Sequence, residues 1–267
     1  MNEQRLDTLI LNSAHKPIDI ELEVIFDKKP PQIIKRTIPQ AFHDLSSIAF
    51  QSLVDFVFAK PYNETDAFYK LLQQLINIDD STFFALEEEQ IKDLRFLINP
   101  FIENEPVSKK SFVPVIELKK TTLQGPSLQL SNFVLDEYIY AEAYYNNFTK
   151  DKSNITALNK LIALLYRDKS IQFDEYINSS SILETQIDSI DLSLKHAAYF
   201  SYMAQRNYIA KRFYKVFQNN PSSNASPNNF GWRETTVSLA GEKFGKPHEV
   251  RNSLMLDVFV HLFSISK

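Results

Sequence analysis

The chain has 267 residues, of which 44% are hydrophobic and 23% are charged, and its formal net charge is −4. Its 4 glycines argue against a glycine-rich phosphate loop and a doubly wound nucleotide fold, because both need glycine at tight turns. The absence of cysteine excludes disulfides, thiolate nucleophiles and cysteine-ligated zinc. The small negative charge offers no overall attraction to nucleic acid or to an anionic membrane.

Apolar residues are not concentrated in one long segment. The sequence has no run of about 18 apolar residues, the length that could cross a membrane. The patch LDTLIL near the N-terminus is too short for the core of a signal peptide. We therefore expect a soluble cytoplasmic protein.

Strict alternation of apolar and acidic residues from Ile18 to Phe26 predicts a half-buried strand. The segment from Gln32 to Pro39 reads as the return strand of an antiparallel hairpin. Its Lys35 and Arg36 are expected to face the acidic row. The segment 6–11 is a candidate third strand, so residues 1–39 form a small N-terminal β element.

A helical period begins at Phe42, and residues 40–217 are expected to form a multi-helix body. One helix ends at Lys60-Pro61 and a second runs from about Thr65 to Ile76. A third begins at Asp79 and continues to Ile98. The segment 107–130 reads as extended, either an edge strand that joins the N-terminal hairpin or a long surface connection.

The stretch from Gly125 to Arg167 pairs two helical patterns across a short polar turn. The run SIQFDEYINSSS after it reads as a loop. A long helix then extends from about Leu183 or Ile187 to Phe217.

The run QNNPSSNASPNN is poor in apolar residues, so residues 218–230 are expected to form a flexible linker. Residues 231–267 then form a helical hairpin, with Gly245 as a helix C-cap and Pro247 at the next helix start. The predicted fold class is mainly α (α+β), with an N-terminal β-hairpin, a helical body and this C-terminal hairpin.

The sequence carries no recognisable catalytic or metal-binding motif. None of the 5 histidines stands four residues from another, and no Glu-x-x-His step occurs. The run GEKFGK is one residue short of a phosphate loop. Asp136, Glu137 and Glu142 could act as paired carboxylates, but the helix dipole explains the first two more simply. We expect no enzymatic activity, no catalytic residue, no metal and no cofactor.

Basic residues interleaved with aromatic ones near the end of the long helix give the best candidate for nucleic-acid binding. The residues are Arg206, Lys211, Arg212 and Lys215. Cations are expected at a helix C-terminus in any case, so we favour a solvated face over a nucleic-acid site.

The run LSNFVLDEYIYAEAYYNNFTKD, followed by LNKLIALLYR, resembles a segment of uncharacterised proteins from the tail gene clusters of tailed phages and prophages. Two flanking runs are similar to the same group. One extends from Ile38-Pro39 through DLSSIAFQSLVDFVF, and the other is GWRETTVSLAGEKFGKPHEVRNSLMLDVFVHLF. These motifs concern packing rather than chemistry, so the resemblance implies a tail-assembly context and not an activity.

The resemblance implies a non-enzymatic interaction protein similar to tail assembly chaperones. Such a helper would bind the tape-measure protein in the cytoplasm of a bacterial host and keep it soluble, or would stay associated with the virion. The alternative is a structural virion component, a tail-completion or connector subunit that forms rings. A protein partner and a homo-oligomer are therefore both expectations.

Aromatic residues on the helix that ends near Phe148 and in the C-terminal hairpin are the candidate partner contacts, because recognition of an amphipathic helix needs an apolar cleft. The candidates are Tyr140, Tyr144, Phe148, Trp232 and Phe244. Tyr140 and Tyr144 are preferred since they are four residues apart on one helix face. The alternative for this aromatic stripe is that it belongs to the core.

Overall fold

The computed structural model describes residues 16–26, 30–58, 64–118, 121–218, 232–241 and 243–265. It is 62% helical, which confirms the mainly α prediction. By its internal contacts the chain divides into two compact units, Met1–Ser108 and Lys109–Lys267. The sequence instead suggested divisions at residues 39 and 217. The candidate strand 6–11 and residues 219–230 of the predicted linker lie outside the described residues.

The described part of unit 1 begins with the predicted antiparallel hairpin, β1 (Ile18–Val24) and β2 (Gln32–Ile38). Lys35 lies opposite Glu21, and its Nζ is 2.5 Å from the Glu21 Oε1 atom, as predicted. The prediction was wrong for Arg36, because Arg36 pairs with Ile20 on the opposite face of the hairpin. There its Nε donates to the Asn77 carbonyl oxygen at 3.4 Å.

The rest of the described part of unit 1 is mainly helical, with Ser46 and Asp79 capping two helix starts through their side chains. The predicted third helix is broken into shorter pieces, because the chain turns at Phe84–Leu86 and tightens into a 3₁₀ turn at Leu94. The helices are α1 (Ser47–Val57), α2 (Glu64–Ile76), α3 (Asp80–Phe83), α4 (Glu88–Asp93) and α5 (Asn99–Glu103), with 3₁₀ turns at Phe42–Asp44 and Leu94–Leu97.

Unit 2 opens with a second two-stranded antiparallel sheet, β3 (Val115–Glu117) and β4 (Thr122–Gln124). This sheet is separate from β1 and β2, so the extended segment does not join the N-terminal hairpin as an edge strand. Ile116 is buried, and the Tyr166 hydroxyl donates to the Val113 carbonyl oxygen at 2.5 Å. The segment therefore packs into unit 2 as structured chain.

The body of unit 2 consists of helices α6 (Leu135–Lys150), α7 (Ile155–Leu165), α8 (Phe173–Asp188), α9 (Leu192–Arg212) and α10 (Tyr214–Gln218). The prediction of a loop at SIQFDEYINSSS was wrong, since most of this run lies in α8. The predicted long helix is also interrupted. Asp191 accepts a hydrogen bond from the Ser193 backbone at 2.8 Å and so caps a new helix.

In the described residues, the C-terminal part forms three helices rather than a two-helix hairpin: α11 (Trp232–Leu239), α12 (Pro247–Asn252) and α13 (Met255–Ile265). Pro247 stands at a helix start as predicted. Gly245 caps no helix; its φ of +70° belongs to a tight loop closed by two 2.8 Å hydrogen bonds with Gly241.

This C-terminal part docks on the start of α6. The Leu135 backbone nitrogen donates to the Ser253 carbonyl oxygen, and the Met255 nitrogen donates to the Phe133 oxygen, both at 2.9 Å. The Phe259 ring is fully buried, with its centroid 5.3 Å from that of Tyr138. Within the described ranges, no helix combines the length and apolar character needed to span a membrane.

Candidate functional site

Helix α6 separates buried aromatic residues from two partly exposed tyrosines. Tyr138, Tyr145 and Phe148 are buried, as the helical spacing of the apolar stripe requires. Tyr140 and Tyr144 are only partly buried, and their ring centroids are 6.3 Å apart. We call this pair the tyrosine surface. It is the only part of the predicted partner-binding set that the described structure brings together as neighbouring rings.

The tyrosine surface rests on aromatic residues of α8. The Tyr140 centroid is 5.6 Å from that of Phe173, which stacks on Tyr176 at 6.2 Å. Below them, the Arg167 guanidinium lies 5.5 Å from the Phe173 centroid. Burial, with smaller effects of Glu184 and Tyr140, raises the pKa of Tyr144. The two tyrosines therefore lie on a support of packed aromatic side chains.

A buried ion-pair cluster lies under this support. Glu137 has no solvent exposure, and its Oε1 atom accepts from Arg167 Nε at 2.6 Å and from Lys169 Nζ at 2.5 Å. Its other oxygen accepts from the Val134 backbone at 3.1 Å. One carboxylate thus joins the start of α6 to the chain that follows α7.

The two other acids of α6 are paired in the same way with different elements. Arg251 of α12 donates to Asp136 Oδ1 at 2.6 Å. Glu142 accepts from Arg206 Nε of α9 at 2.8 and 2.9 Å and from the Tyr202 hydroxyl at 3.0 Å. Although burial alone would lower it, the pKa of Arg206 is raised because of the adjacent Glu142 carboxylate.

These pairs refine two interpretations made from the sequence. Asp136 and Glu137 lie in the first turn of α6, as the helix-dipole interpretation requires, and they are also buried partners of distant cations. Arg206 is paired with Glu142, so it does not belong to an exposed basic patch. Each acid of the trio is held by a cation, an arrangement that serves to fix helices against one another.

The other members of the proposed basic patch occupy different positions. Lys211 is exposed. Arg212 donates to the side-chain oxygen of Gln129. Lys215 lies 5.7 Å from the Phe263 ring centroid. The spacing in sequence therefore does not produce one continuous cationic face.

Phe148 was wrongly assigned to the partner surface, because it is fully buried. Its ring packs edge-on against Tyr199 at 4.9 Å, and the Lys152 ammonium lies 4.8 Å from its centroid. Lys152 also donates to the Tyr199 hydroxyl at 2.8 Å, and burial lowers its pKa. Phe148 therefore belongs to the junction of α6 and α9.

The two C-terminal candidates stay predictions. Phe244 is partly exposed and its ring lies 5.3 Å from that of His261. The side chain of Trp232 lies outside the described residues. Histidine contributes no metal cluster here: in the described ranges, no group of three His, Asp or Glu side chains is arranged to hold an ion.

Sequence reasoning missed Arg167, Lys169 and Arg251 as partners of the α6 acids. The available signal was the adjacent Asp136-Glu137 pair within an apolar stripe, where buried charge requires compensation. Nothing local identifies the cations, since they lie 30, 32 and 115 residues away.

Comparison with known proteins gave no match. No family model, no curated protein and no solved structure is significantly similar to the chain. The resemblance to phage-tail proteins therefore stays a hypothesis.

Proposed function

We propose that this chain is a non-enzymatic protein-binding protein, a tail assembly chaperone that binds the tape-measure protein through the tyrosine surface. The observation that carries the proposal is the Tyr140 and Tyr144 pair, two partly exposed rings 6.3 Å apart. Tyrosine is enriched at binding hot spots because its ring buries a large apolar area and its hydroxyl keeps a polar contact.

The rigidity of the surface supports the same proposal. Helix α6 is fixed by ion pairs to three other parts of unit 2, and Phe173 holds the Tyr140 ring from below. A preorganised surface loses little side-chain entropy when it binds a client. The apolar face of an amphipathic helix is a suitable client, and Glu184 near Tyr144 favours a basic residue beside that face.

The test is coexpression with the tape-measure protein encoded beside the chain. We expect the wild-type chain to keep the client soluble and the double variant Tyr140→Ala, Tyr144→Ala to bind it roughly thirtyfold more weakly, a loss of about 2 kcal/mol. Tyr214→Ala is the matched control, since Tyr214 is 42% exposed on α10. Equal client solubility with and without the wild-type chain would refute the chaperone function. Solubilisation by a folded double variant would refute this surface.

A structural virion component is the second candidate function. Apolar side chains are exposed on or beside α13, with Leu254, Val260 and Ile265 each 46% exposed or more. Exposed apolar side chains of this kind suit contact between copies of the chain in a ring. Sedimentation of the purified chain separates the two functions, because a ring-forming subunit assembles alone and a chaperone does not.

A further inference from the structure

Unit 1 contains a cleft with a volume of about 300 Å³ between α1, α2 and α4. Its floor is apolar, formed by Phe56, Phe68 and Ile91, and all three side chains are partly exposed. The Phe56 and Phe68 centroids are 6.3 Å apart. A volume of this size is at the lower limit of ligand sites and accommodates one or two side chains.

The walls of the cleft are helical and carry charge. Arg95 lies on the 3₁₀ turn that follows α4, and Thr65 and Tyr69 lie four residues apart on α2. The Arg95 guanidinium lies 5.0 Å from the Phe68 centroid, directly over the apolar floor. An amphipathic helix docks by placing its apolar face in a hydrophobic groove.

The rim carries two acids, Glu64 and Glu88, and two cations, Lys92 and Arg95, and Arg95 lies over the Phe68 ring. Lys92 is engaged by Glu88 at 2.7 Å. Arg95 is exposed, and no carboxylate in the described part of the chain forms an ion pair with it. A guanidinium in this position complements an acidic group on a ligand.

We propose that this cleft binds an amphipathic helical segment of a protein partner that inserts an apolar side chain between Phe56 and Phe68 and places an acidic residue on Arg95. The apolar floor accounts for the inserted side chain. Arg95, which has no ion-pair partner among the described residues, accounts for the sign of the neighbouring charge. The site lies in unit 1 and does not depend on the tyrosine surface of unit 2 or on the chaperone function.

The probes are two end-blocked synthetic helical peptides of about 15 residues, long enough to form helix when bound. Both carry Leu and Phe four residues apart; one has Glu beside the Phe and the other has Lys there. Fluorescence anisotropy with the full chain measures the affinity of each peptide. We expect the Glu peptide to bind about fivefold or more tightly than the Lys peptide.

Arg95→Glu should reverse this preference, and Thr65→Trp should weaken both peptides by filling the cleft from an exposed position. Lys70→Glu, a charge reversal at another exposed position of α2, should leave the preference unchanged. Unchanged affinities in Arg95→Glu and Thr65→Trp would overturn the proposal. Binding of N-acetylphenylalanine in the cleft without binding of either peptide would also overturn it, in favour of a site for small carboxylates.

Discussion

Glu137 is a carboxylate with no solvent exposure that two cations share. Removal of a buried charge from water is costly unless partners replace the lost hydration. Here Arg167, Lys169 and the Val134 backbone supply three donors. The single carboxylate of Glu137 therefore connects the start of α6 to the residues that follow α7.

Replacement of Glu137 by glutamine should lower the free energy of unfolding by about 3 kcal/mol or more, because it leaves the buried Arg167 guanidinium without a counterion. Urea denaturation measures the change. Glu117→Gln is the control, since Glu117 is an exposed acid on β3 and its loss should change stability by less than about 0.5 kcal/mol. Equal effects of the two variants would contradict the importance of the cluster.

Lys169 is the surplus cation of the cluster. Burial lowers its pKa to about 8, an effect that exceeds the opposing attraction of Glu137. An unfolded lysine has a pKa of about 10.4. Between these values the unfolded state binds more protons, so the contribution of Lys169 to stability rises as the pH rises through this window.

Lys169→Met should therefore lose stability relative to the wild type as the pH is raised from about 8 to about 10. Urea unfolding at several pH values measures the difference between the two proteins. The buried tyrosines are present in both proteins, so their effect on stability cancels in the difference. A difference that stays constant across this range would show that the lysine keeps its ordinary pKa.

At the scale of elements, several other helices pack against α6, and α13 covers one side of it. The fully buried Phe259 ring lies 5.3 Å from Tyr138, 5.6 Å from Phe213 and 5.5 Å from Phe217. Together with the two backbone hydrogen bonds across Val134 and Leu254, this contact makes the C-terminal helices part of the core.

Phe259→Ala should destabilise the protein by about 3–5 kcal/mol, because it leaves a cavity among aromatic rings. Hydrogen exchange should then be fastest in α13, which loses its anchor. Val260→Ala is the control at the next position, where the side chain is 49% exposed. If both variants unfold alike, the C-terminal helices do not dock as described.

Periodicity in the sequence predicted most helices of the body and the N-terminal hairpin, because apolar spacing reports which face is buried. It did not predict where helices are interrupted. Asp191 and Glu87 begin new helices through local capping hydrogen bonds. Because these interruptions do not change the spacing of the apolar residues, periodicity does not reveal them. The loop prediction at Phe173 failed because the polar serines and asparagine of that run lie on a helix anchored by Phe173 and Tyr176.

At the scale of the whole molecule, the four ion pairs of α6 and the docking of α13 all lie inside residues 109–267. A unit of this length can bury a core of its own. The proposed sites divide in the same way, with the tyrosine surface in unit 2 and the cleft in unit 1.

Residues 109–267 expressed alone should form a helical protein that unfolds cooperatively. Far-ultraviolet circular dichroism and urea denaturation test this, with the Glu137→Gln form of the fragment as the destabilised control. A fragment without a cooperative transition would mean that unit 2 needs residues 1–108 to fold.

The tyrosine surface could be predicted from sequence as a pair, since two tyrosines four residues apart share a helix face. The cleft of unit 1 could not. It depends on the meeting of α2 with α4 and the following turn, which brings Phe68 and Arg95 together from positions 27 residues apart in the numbering. Helix periodicity identifies a buried face but not the helix that covers it.

The ion pair between Asp136 and Arg251 also constrains the order in which contacts of unit 2 can form during synthesis. Its two residues are 115 positions apart, so the ribosome adds Arg251 on the order of ten seconds after Asp136 at a synthesis rate of roughly 5–20 residues per second. Helices α6 and α7 can associate during that interval through contacts close in sequence. The contact over Asp136 can form only after Arg251 has been synthesised, so the start of α6 is covered later than the face of α6 that packs on α7.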